Sequence, residues 1–167
     1  MFLLNTNPAY RKPLEQSDAA MLGKEAAAAV ERHLQFRANH AETPLVALSG
    51  LAAELGVAAI HVKDEGQRLG LGSFKALGGA YAVIRLVLEA AEEALGRSVD
   101  ISELDAADVR AVAQGITVAC ATDGNHGRSV AQGAQIVGAR AAIFVHSGVS
   151  DGRVAAIARY GATMIRV

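Results

Sequence analysis

The sequence predicts an α/β fold, an open and mostly parallel sheet with flanking helices. Three observations carry this. From Ile116 onward, the strand-like runs ITVACA (Ile116 to Ala121), AAIFVH (Ala141 to His146) and TMIRV alternate with helix-like segments. Crossovers of about ten residues or more between strands imply parallel pairing and right-handed connections. Turn and cap residues sit at each junction: TDGNHG opens one helix, Ser150 caps the next and Gly161 ends it. Finally, 167 residues with 51% hydrophobic and 20% charged content suffice for one ordinary core.

From the N-terminus, Ser17 to about Ala38 reads as an amphipathic helix capped by Ser17, with Leu22, Ala26, Ala29, Val30 and His33 on one face. Pro44 excludes helix at Thr43 and begins a new unit. In it Leu48, Leu51, Ala52 and Leu55 predict a short helix ended by Gly56. VAAIHVKD (Val57 to Asp64) predicts a strand, and the glycine-rich loop EGQRLGLG follows. Ser73 can cap a helix from Phe74 to Leu95, with Leu77, Tyr81, Ile84, Leu88 and Ala91 at helical spacing. Ser102 and Asp105 stand at capping-box spacing before another helix reaching Gln114. Beyond Gly115 the strand and helix alternation takes over, with Val130, Ala134 and Val137 on one crossover helix and Val154, Ile157 and Ala158 on the next.

Composition narrows the function. Sixteen basic and 17 acidic residues leave a net charge of -1, which favours neither nucleic acid nor an anionic membrane surface as a partner. The stretch MFLLNTNPAYRK is too short in apolar residues for a signal-peptide core, so a cytoplasmic location is expected. The single cysteine, Cys120, permits no internal disulfide and reads as a small buried residue at a strand end. His33, His40, His61 and His146 lack metal-ligand spacing, so no metal is expected. Arg85, Arg97, Arg110 and Arg140 are expected to face solvent. GLGSFKALGG is not a dinucleotide fingerprint, because position 75 is lysine where the third glycine would stand.

Two stretches carry chemistry. In RLGLGSFKALGGAYA, Lys75 falls in the first turn of its helix, among Phe74, Ala76 and Leu77. The helix N-terminus and an apolar setting both disfavour an ammonium, and a neutral lysine amine is a nucleophile toward carbonyls. The commoner fate of a lysine there is to snorkel from the helix end to water. Gly78 and Gly79, each costing roughly 1 kcal/mol in a helix, suggest close backbone or ligand approach. The second stretch, ATDGNHGRS (Ala121 to Ser129), lies where open α/β sheets place ligands, at a strand's carboxyl end. It offers an acid/base group in Asp123, an amide in Asn125 and an imidazole in His126. An Asx-type turn that merely caps the following helix fits the same residues.

Taken together, SFK and DGNHG resemble the motifs of fold-type II pyridoxal-phosphate enzymes, the tryptophan synthase β-like group, and TPL at Thr43 and VKDE at Val62 are placed as in that group. Within it, VKDEGQRLGLGSFKALGGAYA and TDGNHGR are most similar to the diaminopropionate ammonia-lyase family, from about Pro8 to Val167. Threonine and serine dehydratases usually have Arg-Gly-Ala after the lysine and serine at the position of Asp123. The resemblance implies α,β-elimination from 2,3-diaminopropionate, giving pyruvate and ammonia. It implies that Lys75 holds pyridoxal 5'-phosphate and takes the α-proton from one enantiomer, that Asp123 is the base on the opposite face, and that Asn125 bonds the ring oxygen of the cofactor. It further implies a small-molecule amino-acid substrate and a homodimer for the full-length enzyme.

Family members are longer, and their C-terminal half carries the phosphate loop and the group facing the pyridine nitrogen. The chain therefore reads as the N-terminal part of such a fold, truncated after its last strand: residues 1–115 as an incomplete large cofactor-binding domain and 116–167 as part of the small one. Uncovered strand edges and apolar helix faces are expected. Two alternatives stand beside the lyase, a threonine or serine dehydratase and a non-catalytic subunit completed by another chain.

Overall fold

The computed structural model describes residues 3–167; Met1 and Phe2 of the MFLL stretch lie outside the described residues. Two sheets form. A three-stranded parallel sheet, in the order β3-β4-β5, comprises β3 (Thr117–Ala121), β4 (Arg140–Val145) and β5 (Thr163–Arg166). A separate antiparallel pair joins β1 (Leu45–Ala47) to β2 (His61–Lys63). The helices are α1 (Gln16–Leu22), α2 (Lys24–Gln35), α3 (Ser49–Glu54), α4 (Lys75–Leu95), α5 (Ala107–Gly115), α6 (Asn125–Val137) and α7 (Asp151–Ala158). The fold is thus α/β with flanking helices, and its main sheet is parallel.

In β4 alternate residues Ala141, Ile143 and Val145 are buried, as strand geometry dictates when one face meets a core. They pack with Val118 of β3, with Val130, Ala134 and Val137 of α6, and with Ile157 of α7. Helix α6 lies between the sheet and α4, whose Val83, Ile84 and Val87 complete the cluster.

The contact of α4 with α6 is close because both helices carry small residues there. A Cβ at Gly133 would lie 2.8 Å from the Ala80 Cα, and one at Gly79 would lie 2.8 Å from Ser129. Ser129 is wholly buried and satisfies its hydroxyl on the facing helix: its Oγ accepts from the Ala80 N–H at 3.0 Å and donates to the Ala76 carbonyl at 3.2 Å. One glycine of the α4 pair is thereby explained: Gly79 makes room for α6, whereas Gly78 is exposed with open space where a Cβ would stand.

Several sequence expectations are corrected. The segment 17–38 is two helices, because Gly23 adopts an extended conformation between them. Ser17 lies inside α1 and caps nothing, and Leu22 is 73% exposed, while His33 is buried as its face predicts. The strand predicted over Val57 to Asp64 is only His61–Lys63, antiparallel to an unforeseen β1. The capping box is made by Asp100 and Glu103 about a single 3-10 turn, so α5 starts later than its spacing predicts. Ser150 stands at the start of α7 without a side-chain cap bond. Cys120 is half-buried, and burial pushes its thiol pKa up. Arg85, Arg97 and Arg140 face solvent as expected, whereas Arg110 is half-buried; Arg85 pairs with Glu89, Arg97 with Glu103 and Asp108, and Arg110 with Asp105.

The motifs TPL and VKDE form one brace. The Thr43 hydroxyl donates to Glu65 Oε1 at 2.6 Å, Arg68 grips both Glu65 oxygens, and the Lys63 ammonium donates to the Thr43 carbonyl. Hydrogen bonds from Arg68 and Thr43 hold the Glu65 carboxyl down at about 2. The brace ties the β1-β2 pair to the turn that leads into α4.

The uncovered surface expected from the sequence is present. Within the described residues β3 pairs on one side only, and a groove of about 380 Å³ lined by Gly78, Ala82, Leu86, Val118 and Cys120 runs beside it. Among the described residues no helix is long and apolar enough to cross a membrane.

Two outcomes are expected. Gly133→Ala drives a methyl into the Ala80 backbone and should cost about 1–3 kcal/mol in a urea melt; an unchanged midpoint would refute the close crossing. His33 is 2% exposed, its ring nitrogens are unpartnered among the described residues, and it stands edge-on to Tyr81. Burial, and then the nearby Arg37 charge, lower its pKa to about 4. The unfolded chain binds this proton below about pH 6.5 and the folded chain does not until about pH 4. Stability from this group is therefore complete above pH 6.5 and is lost as pH falls toward 4, by up to about 3 kcal/mol. Denaturant melts across that range should show the loss, and His33→Phe should flatten it.

Candidate functional site

Strand β3 ends at Ala121, and the chain must turn at once into α6. Thr122 makes that turn: its Oγ1 accepts from the Gly124 N–H at 3.1 Å and from the Gly127 N–H at 3.0 Å. One hydroxyl thus holds a tight turn and satisfies a first-turn amide of α6. Gly124 has φ +156° and ψ -88°, a backbone suited to glycine. Gly127 is needed for space, since a Cβ there would lie 2.3 Å from the Thr122 Cγ2 and 3.0 Å from the Ile143 Cγ2.

The loop and the start of α4 share one cleft of about 470 Å³. Its walls are Lys75 on one side, Ala121 to His126 on another, and Arg153 from the first turn of α7. Lys75, Asp123 and Asn125, the three residues singled out in the sequence, are therefore brought together from two distant segments. Among the described residues their side chains make no hydrogen bonds, and neither do those of His126 and Arg153. The cleft carries an amine, a carboxylate, an amide, an imidazole and a guanidinium, all open to a ligand.

One expectation at this site is overturned. Lys75 is exposed, and so is Phe74, at 63%. Lys75 thus lines an open cleft instead of the apolar setting that its neighbours in sequence imply. Its backbone N–H is bonded by Ser73 Oγ at 3.3 Å, the contact expected of Ser73, although Phe74 is the residue flanking the helix.

Arg153 and Thr122 escape sequence reasoning. Thr122 follows a strand and precedes glycine by two, a threonine-turn signal that could have been read. Arg153 could not be placed from its local sequence, where it resembles any exposed arginine on a short helix.

A family profile described as "Pyridoxal-phosphate dependent enzyme" matches residues 37–167. The chain belongs to this family. Diaminopropionate ammonia-lyase of Escherichia coli K12 is 37% identical over 166 residues, covering 99% of this chain and 40% of that protein. The Salmonella typhimurium LT2 enzyme of the same name is 37% identical over 124 residues, or 74% of this chain and 30% of that one. The chain thus spans about 40% of the length of the E. coli relative. Among solved structures, the holo form of the E. coli ammonia-lyase superposes with a TM-score of 0.74 at 38% identity, covering 86% of this chain and 36% of that one. A pyridoxal 5'-phosphate-dependent aspartate racemase, at 18% identity and a TM-score of 0.55, covers 84% of this chain and 37% of its own. At that identity the likeness speaks for the fold, which this chain shares with the pyridoxal-phosphate enzymes.

The loop geometry is testable through Thr122→Val, which keeps the shape and deletes the acceptor. Two amide donors lose their partner, so a loss of about 1–3 kcal/mol is expected. Faster amide exchange at Gly124 and Gly127 should accompany it; unchanged exchange would mean that Thr122 does not hold the loop.

Proposed function

We propose that this chain supplies the lysine and the ring-binding loop of a pyridoxal-phosphate-dependent ammonia-lyase acting on 2,3-diaminopropionate. A single observation supports the reading: Lys75, with its amine unengaged among the described residues, lines one cleft with Asp123 and Asn125. Those donors fit the cofactor, an amine for its carbonyl and an amide for its phenolic oxygen. When bound, pyridoxal phosphate supplies the electron sink for charge developing at the substrate α-carbon.

The chain's own residues supply position and proton transfer. Lys75 holds the cofactor and takes the α-proton on its side of the cleft. Asp123, on the loop wall, takes it from the opposite side, so substrates of either hand can be deprotonated. Asn125 would donate to the phenolic oxygen of the cofactor and so help to hold it. Loss of the β-amine as ammonia, followed by addition of water and loss of the second nitrogen, converts diaminopropionate into pyruvate and two ammonia molecules.

The similarity to the named ammonia-lyases, and an aspartate at position 123 where the dehydratases usually have serine, support this substrate over threonine or serine. Residues 1–115 and 116–167 as portions of a large and a small domain, a cytoplasmic location and a homodimeric full-length enzyme belong to the same proposal. A second reading, a subunit completed by another chain, is favoured by the one-sided pairing of β3 and the apolar groove beside it.

The decisive experiment is reduction of the chain with borohydride in the presence of pyridoxal phosphate, followed by peptide mapping. Label is expected at Lys75 and should vanish in Lys75→Ala. Label scattered over other lysines would sink the assignment. With label in place, a coupled assay should release pyruvate from diaminopropionate but not from threonine. A labelled but inactive chain that gains activity only with a co-purifying polypeptide favours the subunit reading.

A further inference from the structure

We propose that a second cavity, remote from the cleft, binds a small carboxylate monoanion through Arg37. The cavity encloses about 270 Å³ between the end of α2, the 3-10 turn Arg68–Gly70 and α6; its walls include Phe36, Arg37, Asn39, Leu69, Gln132 and Gln135. It shares no residue with the cleft. Along α6, Gln132 and Gln135 stand about 10–15 Å from Asn125 at the helix start.

Arg37 calls for an anion. Several other arginines also lack a carboxylate, but they are exposed or only part-buried; among the described residues Arg37 is the one arginine or lysine that is buried, at 9% exposure. Its one side-chain bond crosses to α6, where Nη2 donates to Gln132 Oε1 at 2.6 Å, and Nη1 is buried with no partner among the described residues. Burial pushes its pKa down, yet a guanidinium keeps its charge at working pH. A buried charge is ordinarily paired with an opposite one, and no aspartate or glutamate lines this cavity. His33 beside it, whose pKa burial lowers to about 4, adds no second charge at neutral pH. The polar lining is therefore one positive charge and the amides of Asn39, Gln132 and Gln135. A monoanion neutralises one charge, and the planar fork of a guanidinium takes the two oxygens of a carboxylate. A phosphate dianion would leave a negative charge uncompensated. Phe36 and Leu69 supply apolar wall for a short carbon chain.

Leu69 also links this cavity to the rest of the fold. It is 2% exposed and has φ +49°, uncommon for a residue other than glycine. Its turn carries Arg68 of the brace and leads to Lys75, six residues on. An occupant resting on Leu69 bears on the approach to α4.

The test titrates the full chain, labelled with nitrogen-15, at constant ionic strength with propionate, with its neutral isostere propanamide and with inorganic phosphate. The side-chain amides of Asn39, Gln132 and Gln135 report on the cavity; the Asn125 side chain and the Gly124 amide report on the cleft. Propionate should saturate the cavity reporters at about 1–10 mM, and the other two compounds only at concentrations about tenfold higher. Arg37→Met should weaken propionate by about tenfold, and Asn39→Ala, at an exposed position, by about two- to threefold. Thermal melts without ligand show whether Arg37→Met folds, and Asn39→Ala carries the test if it does not. Bound propionate should slow amide exchange at Gly70 and Leu71, whose N–H groups bond within the turn. Cavity reporters that stay still up to about 100 mM propionate, that follow propanamide or phosphate as readily, or that keep their affinity in a folded Arg37→Met chain overturn the proposal. Propionate that moves only Asn125 and Gly124 overturns it as well.

Discussion

The hydroxyl of Ser129 is the contact on which this molecule depends. It sits on α6, yet both of its hydrogen bonds are made to α4, one to the Ala76 carbonyl and one to the Ala80 N–H. Two helices from distant parts of the chain are thus fixed in rotation and in height, not merely pressed together. The fit tolerates nothing larger, since Gly79 and Gly133 already bring backbone against side chain and backbone against backbone. Apolar burial drives α4 against α6, but apolar contacts alone would permit sliding. The buried hydroxyl does not, because a shift of either helix would strand polar groups away from water.

Everything at the cleft follows from that registration. Lys75 is one residue before Ala76, and the loop Thr122 to Gly124 immediately precedes α6. Locking the first turn of α4 to the first turns of α6 therefore sets lysine and loop at a defined separation. The brace of Thr43, Glu65 and Arg68 acts on the other side of Lys75, steadying the chain as it approaches the helix. The TPL and VKDE segments are in this way structural, while Lys75 of SFK and Asp123 to His126 of DGNHG line the cleft.

The legible parts of the sequence were those governed by local rules. Helical spacing marked α4 and α6, strand-length β-branched runs marked β3 to β5, and the three proposed site residues all line the cleft. What resisted reading depends on partners far along the chain. The short β1-β2 pair is held by a distant brace. One helix became two where Gly23 takes an extended conformation that alanine-rich periodicity conceals. Lys75 stands in apolar sequence but in open space, because Phe74 turns outward. Arg153 is beside the loop because adjacent strands deliver adjacent loops, a relation between positions 124 and 153 that no window of the sequence contains.

The placement of the Ser129 contact has a mechanical meaning for Lys75. Its backbone is anchored one residue away, while its side chain extends freely into the cleft. The amine is an arm on a fixed pivot: it can swing among positions over the loop, yet the point from which it swings does not move. The role proposed for it, to hold one molecule, release it and then reach for a proton, needs that combination, which neither a mobile loop nor a fully packed side chain would provide.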